Sequence, residues 1–404
     1  MSSHTNQSQV RRRRVFYIPG YDPIHPRRYR ELYRKEGRAQ AEISGYKISL
    51  APKSGDGPYG WHVRSHQDGV DVEAEIEVLV WSDIVRDSMS NSIPAAYLQL
   101  VRTAWIYIGS GAMWCLMRLR KGPVIAALYP VGMLIAQLAL SLGVLWIFAA
   151  LLWPVAGWVA MVPAIATAYA LLLWFRKIDN RLFAYYLMHD YAYSAALNGT
   201  TPAELRSRLA EFTKHIQRAL ETDVDEVLVV GHSSGAHLGV MVLADLIRSQ
   251  NLPSDGPILS FLSLGQVVPM VSFLPDARDL RTDLQFLSTR SELTWVDVSA
   301  PGDGCAFALC DPVGVSGVAP DQKRWPLVLS AAFTQTLSPE RWHELRWRFF
   351  RLHFQYLCAF DRPGDYDYFR VTAGPLSLAQ RFQGRDPSKS RIDQPVSKYR
   401  SVLP

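Results

Sequence analysis

The feature that most constrains the fold is a long uncharged stretch in the middle of the chain. Residues 124–175 contain no Asp, Glu, Lys, Arg or His. One bilayer span needs about 20 apolar residues, so the stretch is long enough for two. The sequence WPVAGW at residues 153–158 supplies a helix breaker, a turn and two tryptophans. The sequence therefore predicts a transmembrane hairpin with spans at about 124–152 and 155–175.

Basic residues flank the uncharged stretch on both sides: Arg118, Arg120 and Lys121 before it, and Arg176, Lys177 and Arg181 after it. Both ends of a hairpin lie on one side of the membrane, and cytoplasmic segments are enriched in Lys and Arg. We therefore expect a multi-pass membrane protein with two spans, whose folded domain and both termini are cytoplasmic. Residues 94–120 are rich in aromatic and apolar side chains, which predicts a helix near the membrane interface.

Composition excludes several classes of protein. The cysteines are widely spaced, with no C-x-x-C, which fits neither a disulfide framework nor a zinc site. The sequence therefore indicates no metal and no cofactor. The net charge of +6 comes largely from an N-terminal arginine cluster and the basic flanks, without a nucleic-acid-binding motif, so nucleic acid is not an expected partner. Residues 1–14 predict a disordered basic N-terminus, with an anionic membrane surface as a secondary partner.

The second strong pattern surrounds Ser233. Residues 227–230 (VLVV) predict a buried strand, GHSSG follows at residues 231–235, and an apolar helical run comes next. Strand, G-x-S-x-G and helix form the context of a nucleophile elbow, in which the glycines remove Cβ atoms that would clash. The pattern favours Ser233 as a nucleophile. Ser234 is off the centre of the motif, and we expect its backbone N–H to contribute to an oxyanion hole at the helix N-terminus.

A second oxyanion donor is expected from the loop after the first predicted strand. Residues 15–18 (VFYI) have a buried-strand pattern and run into PGYDP. In a hydrolase, the loop after such a strand supplies a backbone N–H, here from Gly20 or Tyr21. The alternative is an ordinary strand-ending turn, since Pro-Gly is common there.

A serine nucleophile needs a base, and the base needs an orienting acid. Asp303 follows the predicted strand at residues 293–298 and is the preferred acid; Asp311 is the runner-up. Asp297 lies within the strand and is the least favoured. His189 and Asp190 are adjacent on a predicted helix and point about 100° apart, which favours a structural role for both.

Two histidines follow the candidate acids. His343 comes just after a helix-start pattern and is expected on a helix surface, so His353 is the preferred general base. The alternative for His353 is a packed residue among aromatic side chains. His232 and His237 lie too close to Ser233 in the sequence to act as its base. They are expected to line the pocket or to seat the elbow.

These motifs together resemble those of an α/β-hydrolase, similar to lipase and esterase-type serine hydrolases. The resemblance covers residues 15–81 and 178–380, and rests on VFYIPGYDP, VLVVGHSSGAH, WVDVSAPGD and the late His353. It implies an α/β fold with a mostly parallel sheet and flanking helices. It also implies two-step acyl transfer, in which Ser233 attacks, His353 moves the proton and Asp303 holds the imidazole.

The sequence thus predicts a hydrolase domain interrupted by a membrane segment. Its parts are a disordered N-terminus (1–14), the first part of the domain (15–93), an interfacial helix with the hairpin (94–177), the second part with the elbow (178–383) and a flexible basic tail (384–404). The expected function is that of a membrane-anchored serine hydrolase, cleaving a lipid or other acyl ester or thioester. The alternative is a catalytically inactive scaffold or partner-binding protein of the same fold.

Overall fold

One sheet forms the centre of the structure. The computed structural model describes residues 9–89, 92–250, 252–253 and 255–403. Within these ranges eight strands form a single sheet in the order β2-β3-β4-β1-β5-β6-β7-β8. The strands are β1 (Arg12–Ile18), β2 (Lys47–Pro52), β3 (Gly60–Gln67), β4 (Val70–Val78), β5 (Glu226–His232), β6 (Ile258–Leu264), β7 (Leu293–Ser299) and β8 (Leu327–Ser330).

Most of this sheet is parallel. β3 pairs antiparallel with β2 and β4, whereas all neighbours from β4 to β8 are parallel. Parallel strands are covered on both faces and are therefore mostly apolar; in β5 every residue is buried. The predicted α/β class with a mostly parallel sheet and flanking helices is confirmed. Because β1, β5, β6 and β7 run in one direction, the loops after them meet at one edge.

Helices cover both faces of the sheet. They are α1 (Arg27–Ser44), α2 (Ser82–Ser88), α3 (Ile93–Gly109), α4 (Ala112–Leu116), α5 (Lys121–Ala156), α6 (Met161–Lys177), α7 (Asp179–Leu182), α8 (Ala184–Ala195), α9 (Ala203–Leu220), α10 (Gly235–Arg248), α11 (Pro269–Ser272), α12 (Arg278–Ser288), α13 (Pro312–Val315), α14 (Phe333–Thr336), α15 (Pro339–Leu345), α16 (Phe349–His353), α17 (Tyr368–Ala373) and α18 (Leu378–Arg381). Successive strand residues point to opposite faces. Phe16 and Val229 pack with α9, α10 and α12, whereas Tyr17 and Val230 pack with α1 and α17.

The sequence analysis does not predict β3 or β8. In β3 the buried Trp61 and Val63 alternate with the polar His62 and Arg64, directly after a Gly-rich loop that dominates the local pattern. β8 has 4 residues, which is too short for a clear period. Both strands form because neighbouring strands supply their hydrogen bonds, which local sequence does not reveal.

The N-terminal arginines differ from the predicted disordered segment. β1 begins at Arg12, and Arg13 is fully buried in an ion pair with Glu226 (Nη2–Oε2 2.6 Å). Two of its other N–H groups donate to the carbonyl oxygens of Gly374 and Leu376. A charge can be buried when a partner of opposite charge and further acceptors surround it. These acceptors lie far away in the sequence, so the local pattern does not reveal them. Residues 1–8 of the predicted disordered segment are outside the described residues.

The apolar segment differs from the predicted pair of membrane spans. Among the described residues, one helical segment, Lys121–Lys177, is long and apolar enough to cross a membrane by length and composition. α5 continues through Pro154, and a 3-10 turn at Gly157–Ala160 separates it from α6. α6 has 17 residues, at the lower end of the range of about 17 to 25 residues that one span takes. Among the described residues the structure thus supports one candidate membrane segment and does not show the predicted pair of spans, because the break lies beyond Pro154, at Gly157–Ala160, and α6 is shorter than the predicted second span.

The C-terminal tail, for which the sequence predicts flexibility, is hydrogen-bonded to the domain over its described residues. Ile392 forms a parallel bridge with Cys310, and the carbonyl oxygen of Ile392 accepts from the N–H of Asp311 at 2.8 Å. Further along, the carbonyl oxygen of Ser401 accepts from Nε of Arg281 at 2.9 Å. The partners are distant in sequence, so composition alone does not reveal them.

Candidate active site

Ser233 occupies the turn between β5 and α10. Its φ of 57° lies in the left-handed region, which residues other than glycine rarely adopt. A Cβ atom at Gly231 would lie 2.5 Å from the carbonyl oxygen of Gly235, and one at Gly235 would overlap the carbonyl oxygen of Ile18. The two glycines therefore allow strand, turn and helix to pack closely around a serine in a strained conformation.

The loop after β1 lies against this serine. A Cβ atom at Gly20 would be 2.9 Å from Cβ of Ser233. The hydroxyl of Tyr186 donates to the carbonyl oxygen of Tyr21 and so fixes the loop. Over the described residues, the backbone N–H groups of Tyr21 and Ser234 donate no hydrogen bond, and both residues line the same cavity as Ser233. These two groups are available to an oxyanion there.

His353 and Asp303 form a buried hydrogen-bonded pair. His353 ends α16, Asp303 lies in the loop after β7, and Nδ1 of His353 donates to Oδ2 of Asp303 at 2.7 Å. An ionised carboxylate only accepts hydrogen bonds, so the ring proton is on Nδ1. Nε2 of the neutral ring then carries a lone pair. It is buried and has no hydrogen-bond partner among the described residues.

Further donors hold the Asp303 carboxylate. The hydroxyl of Tyr356 donates to Oδ2 at 3.0 Å, and the backbone N–H of Cys305 donates to Oδ1 at 2.9 Å. Burial alone would raise the pKa of Asp303, but the charge and hydrogen bond of His353, together with these donors, hold the pKa below its ordinary value. The sequence analysis missed Tyr356, whose only signal is its place three residues after His353.

One turn connects the serine and the histidine. The N–H of Ser233 donates to the carbonyl oxygen of Leu264 at 2.9 Å, and a Cβ atom on the next residue, Gly265, would lie 3.2 Å from Cε1 of His353. Ser233 and His353 also line one cavity. Their side chains form no hydrogen bond with each other, and such contacts commonly tighten only when a substrate binds.

His232 supports the main chain of His353. Burial, followed by the proximity of His353, lowers the pKa of His232 to about 3, so its ring is neutral at pH 7. Its Nε2–H donates to the carbonyl oxygen of His353 at 3.0 Å, and its Nδ1 accepts from the hydroxyl of Tyr17 at 3.3 Å. His232 also lines the cavity, where the sequence analysis expects it.

The other predicted histidines lie elsewhere. His237 is half-buried and lines a separate, small cavity of about 30 Å³ next to Tyr21, not the cavity of Ser233. Burial lowers its pKa to about 4. His343 is exposed on α15, where the sequence analysis expects it.

The alternative acids have other partners. Asp311 caps α13 through the N–H of Val313 and binds Nζ of Lys323 at 2.5 Å. Asp297 lies inside the sheet, where it accepts from the hydroxyl of Ser263 at 2.6 Å. Of the three candidate acids, Asp303 is the one that His353 contacts.

The cavity above Ser233 has a volume of about 930 Å³. Many of its walls are apolar or aromatic and include Leu32, Phe183, Tyr186, Met270, Phe307 and Phe350. Asp190 also lines it, and no described residue donates a hydrogen bond to its carboxyl group. Asp190 is half-buried, and burial raises the pKa of its carboxyl group to about 7. The sequence analysis gives Asp190 a structural role, since nothing in its helix pattern signals a cavity.

One group of described residues has donor atoms close enough to hold a metal ion. These atoms, from Asp303, Cys305 and His353, lie within 4.8 Å of one another. Burial and then the neighbouring carboxylates raise the pKa of the Cys305 thiol well above its ordinary value, and a protonated thiol is a poor ligand. The direct hydrogen bond between His353 and Asp303 uses the remaining two donors. The arrangement fits a hydrogen-bonded pair better than a metal site.

Comparison with protein-family models, with curated proteins and with solved structures finds no match. The assignment of a function therefore rests on the geometry described above.

Proposed function

We propose that the chain is a membrane-anchored serine hydrolase that cleaves a lipid or other acyl ester or thioester. One observation carries the proposal: Ser233, on a strained turn before a helix, shares a cavity with a His353–Asp303 pair joined at 2.7 Å. A nucleophile, a base and an acid that orients the base are the three groups that acyl transfer by serine requires.

In the first step Oγ of Ser233 attacks the substrate carbonyl carbon while Nε2 of His353 takes the hydroxyl proton. Asp303 keeps the ring in the tautomer whose Nε2 accepts a proton and stabilises the imidazolium that forms. The oxyanion accepts hydrogen bonds from the backbone N–H groups of Ser234 and of Tyr21 or Gly20. The tetrahedral intermediate then collapses, and the leaving alkoxide or thiolate takes the proton from Nε2.

In the second step water attacks the acyl-serine. His353 accepts a proton from the water and returns it to Oγ of Ser233 as the carboxylic acid leaves. The apolar walls of the cavity favour an apolar acyl group, because burying it removes apolar surface from water.

Exposed apolar surface supports the membrane part of the proposal. In the candidate span Lys121–Lys177, 17% of the most apolar window is buried. Trp146 on α5 and Trp105 on α3 are 71% and 78% exposed, which suits lipid contact and the membrane interface. Pro123, near the start of α5, lines the cavity, so the site lies close to the bilayer and lipid esters are the natural substrates. The basic flanks favour the cytoplasmic face.

The test is labelling of protein in nanodiscs with a fluorophosphonate probe, which reacts with activated serines. We expect wild type to label, Ser233→Ala to lose all labelling and His353→Ala to lose most of it. Ser234→Ala is the matched control: its proposed contribution is a backbone N–H, so it should label like wild type. Folding of each variant is checked by its thermal unfolding midpoint.

Two outcomes would contradict the proposal. Labelling that survives Ser233→Ala would identify another nucleophile. No labelling of folded wild type would favour the catalytically inactive scaffold. If labelling follows the expected pattern, release of fatty acid from the nanodisc lipids tests the substrate class.

A further inference from the structure

A short segment beside the active site exposes both aromatic and basic side chains. Residues 346–351 (RWRFFR), here called the RWRFFR segment, comprise the link from α15 to α16 and the first three residues of α16. Trp347 is 73% exposed and Phe349 is 48% exposed, with ring centroids 6.5 Å apart. Arg346, Arg348 and Arg351 are also exposed. Large aromatic side chains that are exposed next to each other form an apolar patch, and such patches indicate a contact surface.

The segment lies beside the start of the candidate membrane helix. A Cβ atom at Gly304 would lie 3.2 Å from the Phe349 ring, and one at Gly122 would lie 3.1 Å from Cα of Gly304. Gly122 is the second residue of α5. The loop that carries Asp303 and Gly304 therefore lies between the RWRFFR segment and the N-terminal end of α5, where the apolar segment begins.

The segment also lies near the other end of the apolar stretch. The ring of Phe350 contacts that of Phe183 at a centroid distance of 4.6 Å, and Phe183 directly follows α7. α7 comes two residues after the last residue of α6, Lys177. Both ends of the apolar segment thus converge on the RWRFFR segment.

We infer that the RWRFFR segment binds the anionic surface of the membrane that α5 enters. Trp and Phe side chains settle at the headgroup level, and each Arg near an anionic leaflet adds attraction. Arg348 and Arg351 share one carboxylate, that of Glu344, at 3.1 and 3.5 Å. With Arg346 the segment still has a net positive charge, of the same sign as the flanks of the apolar segment. This inference rests on the membrane anchoring in the proposed function.

α16 connects the proposed membrane contact to the proposed active site. Phe350, Arg351 and His353 contribute to the wall of the cavity, while Phe349 and much of Arg351 are exposed. Membrane binding by the exposed side chains would therefore act on the helix that carries the proposed base.

The experiment uses a benzoylphenylalanine photo-crosslinker in the full chain, reconstituted in nanodiscs that contain alkynyl phosphatidylserine. The crosslinker replaces Trp347 in one variant and Trp146, on the exposed face of α5, in a second. A third carries it at His66, which is half exposed on β3, away from the cavity. We expect lipid adducts at positions 347 and 146 and several-fold fewer at position 66. With Arg348→Gln and Arg351→Gln added, adducts at 347 should lose their preference for phosphatidylserine over phosphatidylcholine.

Each contrary outcome has a separate meaning. Adducts at 146 but not at 347 would overturn the inference and leave the membrane anchor intact. Adducts at neither position would overturn both. A protein adduct at 347 would identify a protein partner for the segment and overturn the lipid assignment. Fluorophosphonate labelling of Ser233 in the same nanodiscs reports the proposed chemistry separately from all of these results.

Discussion

His232 donates from Nε2 to the backbone carbonyl oxygen of His353 at 3.0 Å. The residue that precedes the serine on the elbow thus holds the main chain of the proposed base. The Nδ1–H of the His353 side chain donates to Asp303, so His353 is held both at its main chain and at its ring. His232 is a positioning residue, because it acts on the reaction through His353.

We expect His232→Phe to lower the rate of fluorophosphonate labelling by about 10- to 100-fold, since small displacements of a catalytic group have effects of this size. The pH profile of labelling should also change shape, because the ring of His353 gains freedom beside Asp303. Tyr17→Phe is the control: it removes a donor to Nδ1 of His232 at 3.3 Å and should have a smaller effect. A wild-type rate in folded His232→Phe would contradict the positioning role.

Asp303→Asn should lower the labelling rate by about 10⁴-fold, the size of the effect seen when a Ser-His-Asp site loses the correct histidine tautomer. Asp311→Asn should keep the rate, because Asp311 contacts Lys323 and caps α13. Asn can still cap α13, so the cost in stability should come from the unpaired Lys323 and be about 1 to 3 kcal/mol. Rates come from gel-based labelling and stabilities from unfolding midpoints. If Asp311→Asn lowered the labelling rate and Asp303→Asn did not, Asp311 would be the acid that orients His353.

Asp297 should make stability depend on pH. Burial raises its pKa to about 7, against about 3.9 in an unfolded chain. Between about pH 4 and pH 7 the folded state holds a proton that the unfolded state has lost, so stability falls by about 1.4 kcal/mol per pH unit as pH rises. Above pH 7 both states are ionised and this decline ends.

The measurement is the unfolding midpoint of Asp297→Asn at pH 5 and pH 8. The unfolding midpoint of the variant should rise relative to that of wild type as pH increases, because Asn has no charge to bury. Asp223→Asn is the control, since the Asp223 side chain is 89% exposed and should show no such trend. An equal difference between Asp297→Asn and wild type at both pH values would argue against the raised pKa.

Gly235→Ala should be strongly destabilising, by about 3 kcal/mol or more, because its Cβ would overlap the carbonyl oxygen of Ile18. Gly132→Ala in α5 is the matched control, since no atom lies within 4 Å of its added Cβ. The control should be neutral or slightly stabilising. Thermal unfolding in one detergent compares the two. Equal midpoints would show that the turn can relax.

Local patterns predict the features that depend on neighbouring residues. The strand, glycines and helix around Ser233 are contiguous, so the sequence indicates their order and the reason for each glycine. The order of later strands and loops also leads to Asp303 and His353, which the structure brings together at 2.7 Å. Tyr356, His232 as a support and the Arg13–Glu226 pair could not be predicted, since their partners are set by packing between distant segments.

The number of membrane spans is harder to predict from the sequence than the presence of the apolar stretch. Composition identifies the uncharged stretch, but the number of spans depends on where the helix breaks. The predicted hairpin places the break at Pro154, yet α5 continues past it, since the carbonyl that a proline leaves without a partner can be tolerated. The break at Gly157–Ala160 leaves α6 shorter than the predicted second span.

The strand order of the sheet has a consequence for biosynthesis. β1 lies between β4 and β5, and the apolar segment Lys121–Lys177 separates β4 from β5 along the chain. A ribosome therefore releases the apolar segment before β5 and the elbow exist. If the segment enters the bilayer as proposed, its insertion can precede closure of the sheet and assembly of the turn that carries Ser233.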